Sequence, residues 1–256
     1  MCDGAQGHRG AQMINSIYSR EIVITPSICD FSGVLSVPDV FSVFMDIATE
    51  HAESMGIGFL GMTKRDLFWI TAKTMVKIYR RPRMSRTATI TTWPENPEGL
   101  KCFRDYRLTE GDEVLAVGKT LWAVMDMKTG RLHKPEEVYP EGLVISDEKV
   151  LPEDFSHVKP GFTGEEFGRY TVKSTDIDVG RHMNNAAYLK AFASLYSSEE
   201  WKRLLKKFPE PLIEVQFKNQ CFEGDELTFV QQFGDGDFRA EATLPDGKLA
   251  WQILIH

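Results

Sequence analysis

Residues 174–188 carry the densest group of reactive side chains in the sequence. Two carboxylates, one imidazole and two amides fall within ten residues: Asp176, Asp178, His182, Asn184 and Asn185. They precede a predicted helix, whose first N–H groups are unpaired and whose dipole is positive at this end. Such a place stabilises developing negative charge, which suits acyl chemistry. The alternative is structural: an Asn caps the helix while His182 bonds to a nearby carbonyl.

The elements that must position these residues follow from the periodicity of the sequence. Apolar residues at three- and four-residue steps predict helices at residues 38–55 and 183–207. Segments bounded by Pro, Gly and Asp predict strands. In the first half these strands cover residues 21–28, 67–79, 87–93, 101–109 and 114–126. In the second half they cover residues 166–172, 212–221, 226–233, 238–244 and 248–255.

The order of strand, loop, long helix and sheet occurs twice, which indicates an internal duplication and an α+β fold. We therefore predict an N-terminal domain at residues 16–134, a proline-rich linker at 135–164 and a C-terminal domain at 165–256. The loop at residues 30–36 has an Asp but no His, whereas its counterpart in the second half has both. Active chemistry is therefore expected in the second half.

Composition excludes several classes of protein. The 256 residues are 42% hydrophobic and 26% charged, which is ordinary for a globular chain. An excess of 37 Asp and Glu over 30 Lys and Arg gives a net charge of −7, which argues against a nucleic-acid binder. No apolar run approaches the roughly 20 residues that span a bilayer. Residues 1–15 lack the apolar core of a signal peptide, so a cytoplasmic protein is expected.

Cysteine and histidine usage gives no sign of a cofactor. The four cysteines are scattered, without zinc-ligand spacing or a dense disulfide framework, which fits a reducing cytoplasm. The six histidines are equally dispersed. Since no motif calls for a metal, a nicotinamide or a flavin, we expect no cofactor.

The spacing of Asp178, His182, Asn184 and Asn185 resembles the active-site loop of hotdog-fold thioesterases, in which Asp-x-x-x-His-x-Asn-Asn precedes the central helix. The chain is more similar still to the acyl-acyl carrier protein thioesterases of plants and bacteria, which carry two hotdog domains in tandem. This resemblance covers residues 16–255 and includes an arginine-rich turn. It implies a tandem double hotdog, each half an antiparallel sheet wrapped around a long central helix. It also implies hydrolysis of fatty acyl-acyl carrier protein, of the oleoyl type, with release of free fatty acid.

The resemblance implies three catalytic residues: Asp178, His182 and Gln220. Asp178 would activate water as a general base or attack the carbonyl directly, and both routes stay open. His182 would orient that carboxylate or bind polar groups of the substrate. The plant enzymes have an Asn two residues after the Asp and a Glu-Cys pair on a later strand, where this chain has Gly180, Gln220 and Cys221. Gln220 would hold the water or the thioester oxygen.

Two further features of this site are expected. Backbone N–H groups at residues 183–185 are the candidates for binding the oxyanion. Cys221 is predicted on the strand at residues 212–221, as a small buried residue beside the substrate. A Cys–His nucleophile is the alternative, and it ranks lower because no spacing in the sequence brings His182 to the thiol.

Other substrate-binding candidates flank the loop or lie in the first half. They are Asn184, Asn185, Phe41, Phe44, Met45 and Trp69. Apolar residues at helical spacing are most often simply core. The resemblance implies instead that the first helix and the following strand line the acyl pocket, where their bulk would limit chain length.

Acyl carrier protein is the partner that the resemblance implies. Because that carrier is acidic, basic clusters at residues 77–86 and 202–207 would steer it to the enzyme, unless they are ordinary solvated faces. A coenzyme A thioesterase and a non-catalytic acyl-binding hotdog protein are the alternative functions. Since the tandem chain already supplies two hotdog units, it leaves a homodimer open without requiring one.

Overall fold

A computed structural model of the chain describes residues 14–157, 161–162 and 164–256. We predicted from residues 1–15 that there is no signal peptide, and most of these residues lie outside the described part. The first half comprises α1 (Val37–Ser54), α2 (Phe59–Thr63), β1 (Ile14–Asn15), β2 (Tyr18–Val23), β3 (Leu67–Ile78), β4 (Thr87–Pro94), β5 (Cys102–Glu110), β6 (Glu113–Asp126), β7 (Leu132–His133) and β8 (Leu143–Val144). The second half comprises β9 (Glu165–Thr171), α3 (Asn185–Ala193), α4 (Ser198–Lys206), β10 (Leu212–Phe217), β11 (Glu226–Phe233), β12 (Phe238–Thr243) and β13 (Leu249–Ile255).

The two halves share one antiparallel sheet. Its strand order is β2-β4-β5-β6-β3-β10-β13-β12-β11-β9, with β7 paired to β6, while β1 and β8 form a separate parallel pair. The halves join where β10 pairs with β3, from Leu212 opposite Lys77 to Gln216 opposite Lys73. This pairing places α1 and α3 side by side, and the Lys190 ammonium of α3 lies 2.7 Å from the Asp39 carboxylate of α1.

Helix α1 starts where the sequence predicts. The Ser36 hydroxyl accepts the Asp39 N–H at 3.1 Å, and Pro38 lies in the first turn. One face of the helix, including Phe41 and Phe44, is buried in the core that both halves share. Burying each such aromatic side chain contributes about 1.5–3 kcal/mol, so packing rather than helix propensity holds α1 in place.

The helix predicted at residues 183–207 is wrong as a single element, because the structure breaks it into α3 and α4. Ser197 begins α4 with a capping box, in which its hydroxyl accepts the Glu200 N–H while the Glu200 carboxylate accepts the Ser197 N–H. The break lets Tyr196 donate a hydrogen bond to Gln231 and pack against Phe192. Ser-x-x-Glu at residues 197–200 was the signal in the sequence for this second start.

The strand predicted at residues 21–28 is also shorter than expected. Strand β2 ends at Val23, and Pro26–Ile28 forms a 3-10 turn that leads into the first loop. A proline cannot donate a hydrogen bond to a neighbouring strand, which accounts for the early end of the ladder.

Residues 145–157, within the predicted linker, cross the face of the sheet opposite α1. The Lys119 ammonium donates to the Leu151 carbonyl at 2.7 Å in the first half. In the second half the Glu214 carboxylate accepts the Ser156 N–H at 2.9 Å, and the Gln216 amide donates to the Ser156 carbonyl at 2.9 Å. This strap therefore fastens both halves of the sheet from outside.

Charged groups are buried beneath the strap. Asp105 is fully buried, with Glu95 and Lys119 beside it. The Lys119 ammonium lies 3.6 Å from Glu95, and Lys149 reaches the same carboxylate at 2.9 Å. Burial raises the pKa of Asp105 to about 7, and the neighbouring charge of Glu95 acts in the same direction.

In the part of the chain that the structure describes, no helix has the length and apolar character needed to cross a bilayer.

We predict that replacing Asp105 with Asn flattens the dependence of stability on pH. The folded-state pKa lies above the ordinary value, so the folded protein holds a proton that the unfolded chain releases. The free energy of unfolding should therefore fall as pH rises from about 4 to about 7 in the wild type. Urea unfolding at several pH values measures this. Asp147→Asn is the control, because it removes an exposed carboxyl from the strap and should leave the pH dependence as in the wild type. Equal slopes of unfolding free energy against pH in the wild type and Asp105→Asn would contradict the prediction.

Candidate active site

The loop before α3 folds back on itself and brings Asp178 and His182 together. The Asp178 N–H donates to the His182 carbonyl at 3.1 Å, and the Arg181 N–H donates to the Asp178 carbonyl at 2.9 Å. Arg181 adopts a left-handed conformation with φ of 62°, which lets the turn close. As a result the Asp178 Oδ1 and His182 Nδ1 atoms lie 4.0 Å apart.

Both side chains remain accessible, each with 26% of its surface exposed. The Asp178 Oδ1 atom accepts the Gly180 N–H at 2.8 Å. The His182 Nδ1 atom lies 3.2 Å from the Met183 carbonyl, which can only accept, so Nδ1 carries the proton of that bond. In the neutral imidazole Nε2 is then left as an acceptor.

Gly180 lies against both groups. A Cβ atom at this position would be 2.9 Å from His182 Nε2 and 3.0 Å from Asp178 Oδ1. Any larger side chain would therefore contact the pair directly. Gly180 itself acts on Asp178 through its backbone N–H.

The start of α3 uses most of the polar groups that were candidates for substrate binding. Asn184 is the N-cap, its side chain accepting the Ala186 N–H at 2.8 Å. The Met183 N–H donates to the Cys221 carbonyl and the Asn184 N–H to the Asp176 carbonyl, each at 2.8 Å. Of the three predicted oxyanion donors, the Asn185 N–H alone makes no hydrogen bond to a residue that the structure describes. It heads the first turn of α3, where N–H groups lack helical partners.

Cys221 lies in a loop, so its predicted place on a strand at residues 212–221 is wrong. Strand β10 ends at Phe217, because Lys218 and Asn219 both donate to the Ala250 carbonyl and the chain then leaves the ladder. The Cys221 N–H meets the Tyr188 hydroxyl of α3 at 3.2 Å. Together with the bond from Met183, this ties the loop to α3 beside Asp178.

The thiol of Cys221 is fully buried, and burial raises its pKa to about 11. A buried thiol with such a pKa is protonated near neutral pH and is a poor nucleophile. Gln220, one residue earlier, is exposed. The structure thus places the Asp178 and His182 side chains 4.0 Å apart. Gln220 and Cys221 lie on the loop that is hydrogen-bonded to the start of α3.

The first half repeats the backbone of this loop. The Asp30 N–H donates to the Val34 carbonyl at 2.9 Å, and the Ser32 N–H donates to the Asp30 carboxylate at 2.8 Å. The Leu35 N–H donates to the Pro82 carbonyl at 2.9 Å, just as Met183 donates to Cys221. The duplication predicted from element order therefore extends to individual hydrogen bonds.

The side chains of the two loops differ at two positions that bear on the Asp. Val34 stands where the second loop has His182, and Arg81, which precedes Pro82, stands where it has Gln220. The Arg81 guanidinium forms an ion pair with Asp30 and donates to the Leu35 carbonyl at 3.0 Å. The first carboxylate is therefore neutralised, whereas no Lys or Arg nitrogen lies within 4.0 Å of Asp178 in the described part of the chain.

The predicted acyl-pocket residues fall into two groups. Phe41 and Phe44 are buried in the main core, with Met45 packed against it. Phe44 stacks on Tyr106 at 5.0 Å between ring centroids. Trp69 packs against a smaller separate cluster near the end of α1, and its indole N–H donates to the Ile57 carbonyl. Sequence spacing had not separated these two groups.

The two basic clusters differ in how far carboxylates neutralise them. In the first, Arg80 pairs with Glu113 at 2.6 Å and with Glu110 at 2.9 Å, and Arg86 also pairs with Glu110. The second cluster lies on and just after α4: Lys202, Arg203, Lys206 and Lys207. No carboxylate among the described residues lies within 4.0 Å of these four side chains. In the first cluster only Lys77 and Arg83 lack a carboxylate within 4.0 Å among the described residues, so α4 carries the larger unpaired charge.

Comparisons with known proteins agree with this architecture. The profile of the acyl-ACP thioesterase N-terminal domain matches residues 15–141, and that of the C-terminal domain matches residues 162–248. The chain is similar to an acyl-[acyl-carrier-protein] hydrolase of Cuphea viscosissima, with 29% identity over 71% of this chain and 44% of the relative. It is also similar to an oleoyl-acyl carrier protein thioesterase of Arabidopsis thaliana, with 25% identity over 81% of this chain and 60% of the relative. The chain spans about half the length of these curated relatives.

Solved structures show the same fold. An acyl-ACP thioesterase from Bacteroides thetaiotaomicron has a TM-score of 0.79 at 18% identity, covering 94% of this chain and 97% of its own. A 12:0-ACP thioesterase from Umbellularia californica has a TM-score of 0.75 at 18% identity, covering 96% of this chain and 98% of its own. The fold is the predicted tandem double hotdog. With both domain profiles matched along most of its length, the chain belongs to the acyl-ACP thioesterase family.

Proposed function

We propose that this protein hydrolyses the thioester of fatty acyl-acyl carrier protein and releases free fatty acid. The observation that carries the proposal is the contrast between two equivalent carboxylates. Asp30 is held by Arg81, whereas Asp178 is accessible, lies beside His182 and stands near the start of α3. Membership of the family and the names of the relatives support the same reaction.

In the proposed reaction Asp178 accepts a proton from water as the water oxygen attacks the thioester carbon. The carbonyl oxygen becomes an oxyanion, which the Asn185 N–H and the helix dipole stabilise. The carbon–sulfur bond then breaks, the proton passes to the leaving thiolate, and the fatty acid is released. Direct attack by the Asp178 carboxylate would give the same products through an anhydride, which water then cleaves.

We predict that Asp178→Asn lowers the rate of thioester hydrolysis by at least about a hundredfold, as expected when a general base or nucleophile is lost. Asp30→Asn is the matched control, since it changes the equivalent residue of the first half and should leave turnover nearly intact. Initial rates on an acyl-acyl carrier protein, with folding checked by circular dichroism, measure both. Near-normal turnover by folded Asp178→Asn would remove Asp178 from the mechanism, and acyl binding without turnover by the wild type would favour a non-catalytic protein.

We predict that Cys221→Ser retains most of the activity. The thiol is buried and protonated, so the substitution costs some packing but no reactive group. Turnover of Cys221→Ser is compared with that of Gln220→Ala, and iodoacetamide labelling of the wild type is followed by peptide mass spectrometry. Loss of activity in the cysteine variant alone, in step with alkylation of Cys221, would establish a thiol nucleophile instead.

We propose that the carrier docks on the α4 face. Its four cations lack carboxylate partners among the described residues, so their charge is available to an acidic carrier protein. A coenzyme A thioesterase does not need a surface of this size to bind its carrier, because the carrier is a small molecule rather than a protein. Coenzyme A is also anionic, so it is the extent of this cationic surface, rather than its sign, that favours acyl carrier protein.

We predict that Arg203→Gln with Lys206→Gln raises KM for acyl-acyl carrier protein by about threefold or more while kcat is unchanged. The control is Lys64→Gln with Lys134→Gln, which removes the same charge from the first half. The same acyl group on coenzyme A should show no change. An equal rise in KM for both carriers, or for both double variants, would contradict docking on α4.

We propose a role in fatty acid biosynthesis in the cytoplasm, which agrees with Cys29, Cys102 and Cys221 being free thiols. The relatives are named for oleoyl, palmitoyl and dodecanoyl groups, so family membership leaves chain length open. Rates across a series of acyl-carrier-protein substrates from short to long chains would set it.

A further inference from the structure

A polar cluster lies between α1 and the sheet of the first half, where an acyl pocket would be expected to be apolar. Arg104 on β5 is 7% exposed, and His51 near the end of α1 is 2% exposed. One Arg104 nitrogen, Nη1, lies 3.0 Å from His51 Nδ1 and 3.2 Å from the Thr92 hydroxyl. Since an Arg N–H can only donate, His51 Nδ1 is the acceptor and the imidazole is neutral. Burial lowers the pKa of His51 to about 3, in agreement with this assignment.

The charge of Arg104 has no counter-ion in the described structure. Its two named partners are neutral, and no described carboxylate lies within 4.0 Å of the guanidinium. A buried cation is costly unless an anion or several oriented dipoles compensate it. The Nε and Nη2 groups make no hydrogen bond to a described residue and lie at the accessible part of the side chain, so the guanidinium keeps donors for a further acceptor.

Neighbouring strands add more unpartnered polar atoms. The Tyr106 hydroxyl, the Trp122 indole N–H and the Thr71 hydroxyl are buried and make no hydrogen bond of normal geometry. Burial raises the pKa of Tyr106 to about 12, while the Arg104 charge and the Thr120 and Trp122 side chains act in the opposite direction, so its hydroxyl has three polar neighbours. Buried polar atoms are almost always paired in folded proteins, and each exception needs a reason.

The cluster adjoins the residues that were predicted to line the acyl pocket. Tyr106 stacks on Phe44, and Trp122 meets the edge of Trp69 at 6.5 Å between ring centroids. His51 lies about 18 Å along α1 from Asp39, the residue that contacts α3. The cluster is therefore placed for the far end of a bound acyl chain rather than for its thioester.

We propose that this cluster binds a carboxylate at the distal end of the acyl chain, so that the substrates include thioesters of dicarboxylic acids. The inference rests on the proposed thioesterase function. Arg104 supplies the charge and hydrogen bonds, as guanidinium groups do for carboxylates. Tyr106 and Trp122 donate further hydrogen bonds to it. A plain hydrocarbon end would leave the charge of Arg104 without a counter-ion, and polar sites reject analogues that lack the matching group in this way.

The test compares two non-hydrolysable probes of equal chain length. They are the pantetheine amide of a straight-chain monocarboxylic acid and the amide formed by one carboxyl of the corresponding dicarboxylic acid. We expect the wild type to bind the dicarboxylic probe at least tenfold more tightly. Arg104→Met should reverse that preference. Arg107→Met, which removes an arginine on the opposite face of the same strand, should leave it unchanged.

Two milder variants keep the test decisive if Arg104→Met fails to fold. Thr71→Val removes one hydroxyl at nearly constant shape, and Trp122→Phe removes the indole N–H while keeping an aromatic ring. Trp122→Phe should weaken the dicarboxylic probe alone by several-fold. Equal binding of both probes by the wild type, or a preference that survives every substitution in the cluster, overturns the proposal. Hydrolysis of plain acyl thioesters without any such preference would leave the proposed function standing. A dicarboxylic preference in binding, without hydrolysis of any thioester, would overturn the proposed function alone.

Discussion

The antiparallel pairing of β3 with β10 is the contact on which the rest of the structure depends. It joins the two half-sheets, so that neither half has to bury a free edge at the centre of the molecule. It also sets α1 against α3, and the core they share runs through both halves. The chain must then travel from the first half to β9 at the far edge of the sheet, and the strap at residues 145–157 does so across the outer face.

The duplicated loops show how one backbone supports two chemical outcomes. Equivalent hydrogen bonds shape both loops, and each presents an Asp at the same point. In the first loop Arg81 holds Asp30 in an ion pair, which makes it a structural residue. In the second, Gln220 stands at the position of that cation and His182 replaces an apolar side chain. A carboxylate that keeps its charge without a cationic partner can act as a base or a nucleophile, and this accounts for chemistry in one half only.

Much of this organisation could be predicted from the sequence, because hydrophobic period and turn residues are local signals. They placed α1, most strands and the loop with Asp178 and His182. The break between α3 and α4 and the early end of β10 depend on tertiary contacts, through the packing of Tyr196 and the attachment of Cys221 to α3. The pairing of Arg81 with Asp30 could be found only by matching the two loops residue by residue. The burial of Arg104 could not be predicted, because the spacing of apolar residues does not show whether a charged residue is buried.

We propose that the thioester reacts at the loop of the second half. The most direct measurement is a crystal structure of the Asp178→Asn protein with an intact acyl thioester bound. We predict that the thioester carbonyl lies beside residue 178, with its oxygen within hydrogen-bond distance of the Asn185 N–H and its acyl chain entering the first half between α1 and the sheet. A thioester bound at the loop of residues 30–36, or with its carbonyl carbon against the Cys221 sulfur, would contradict it.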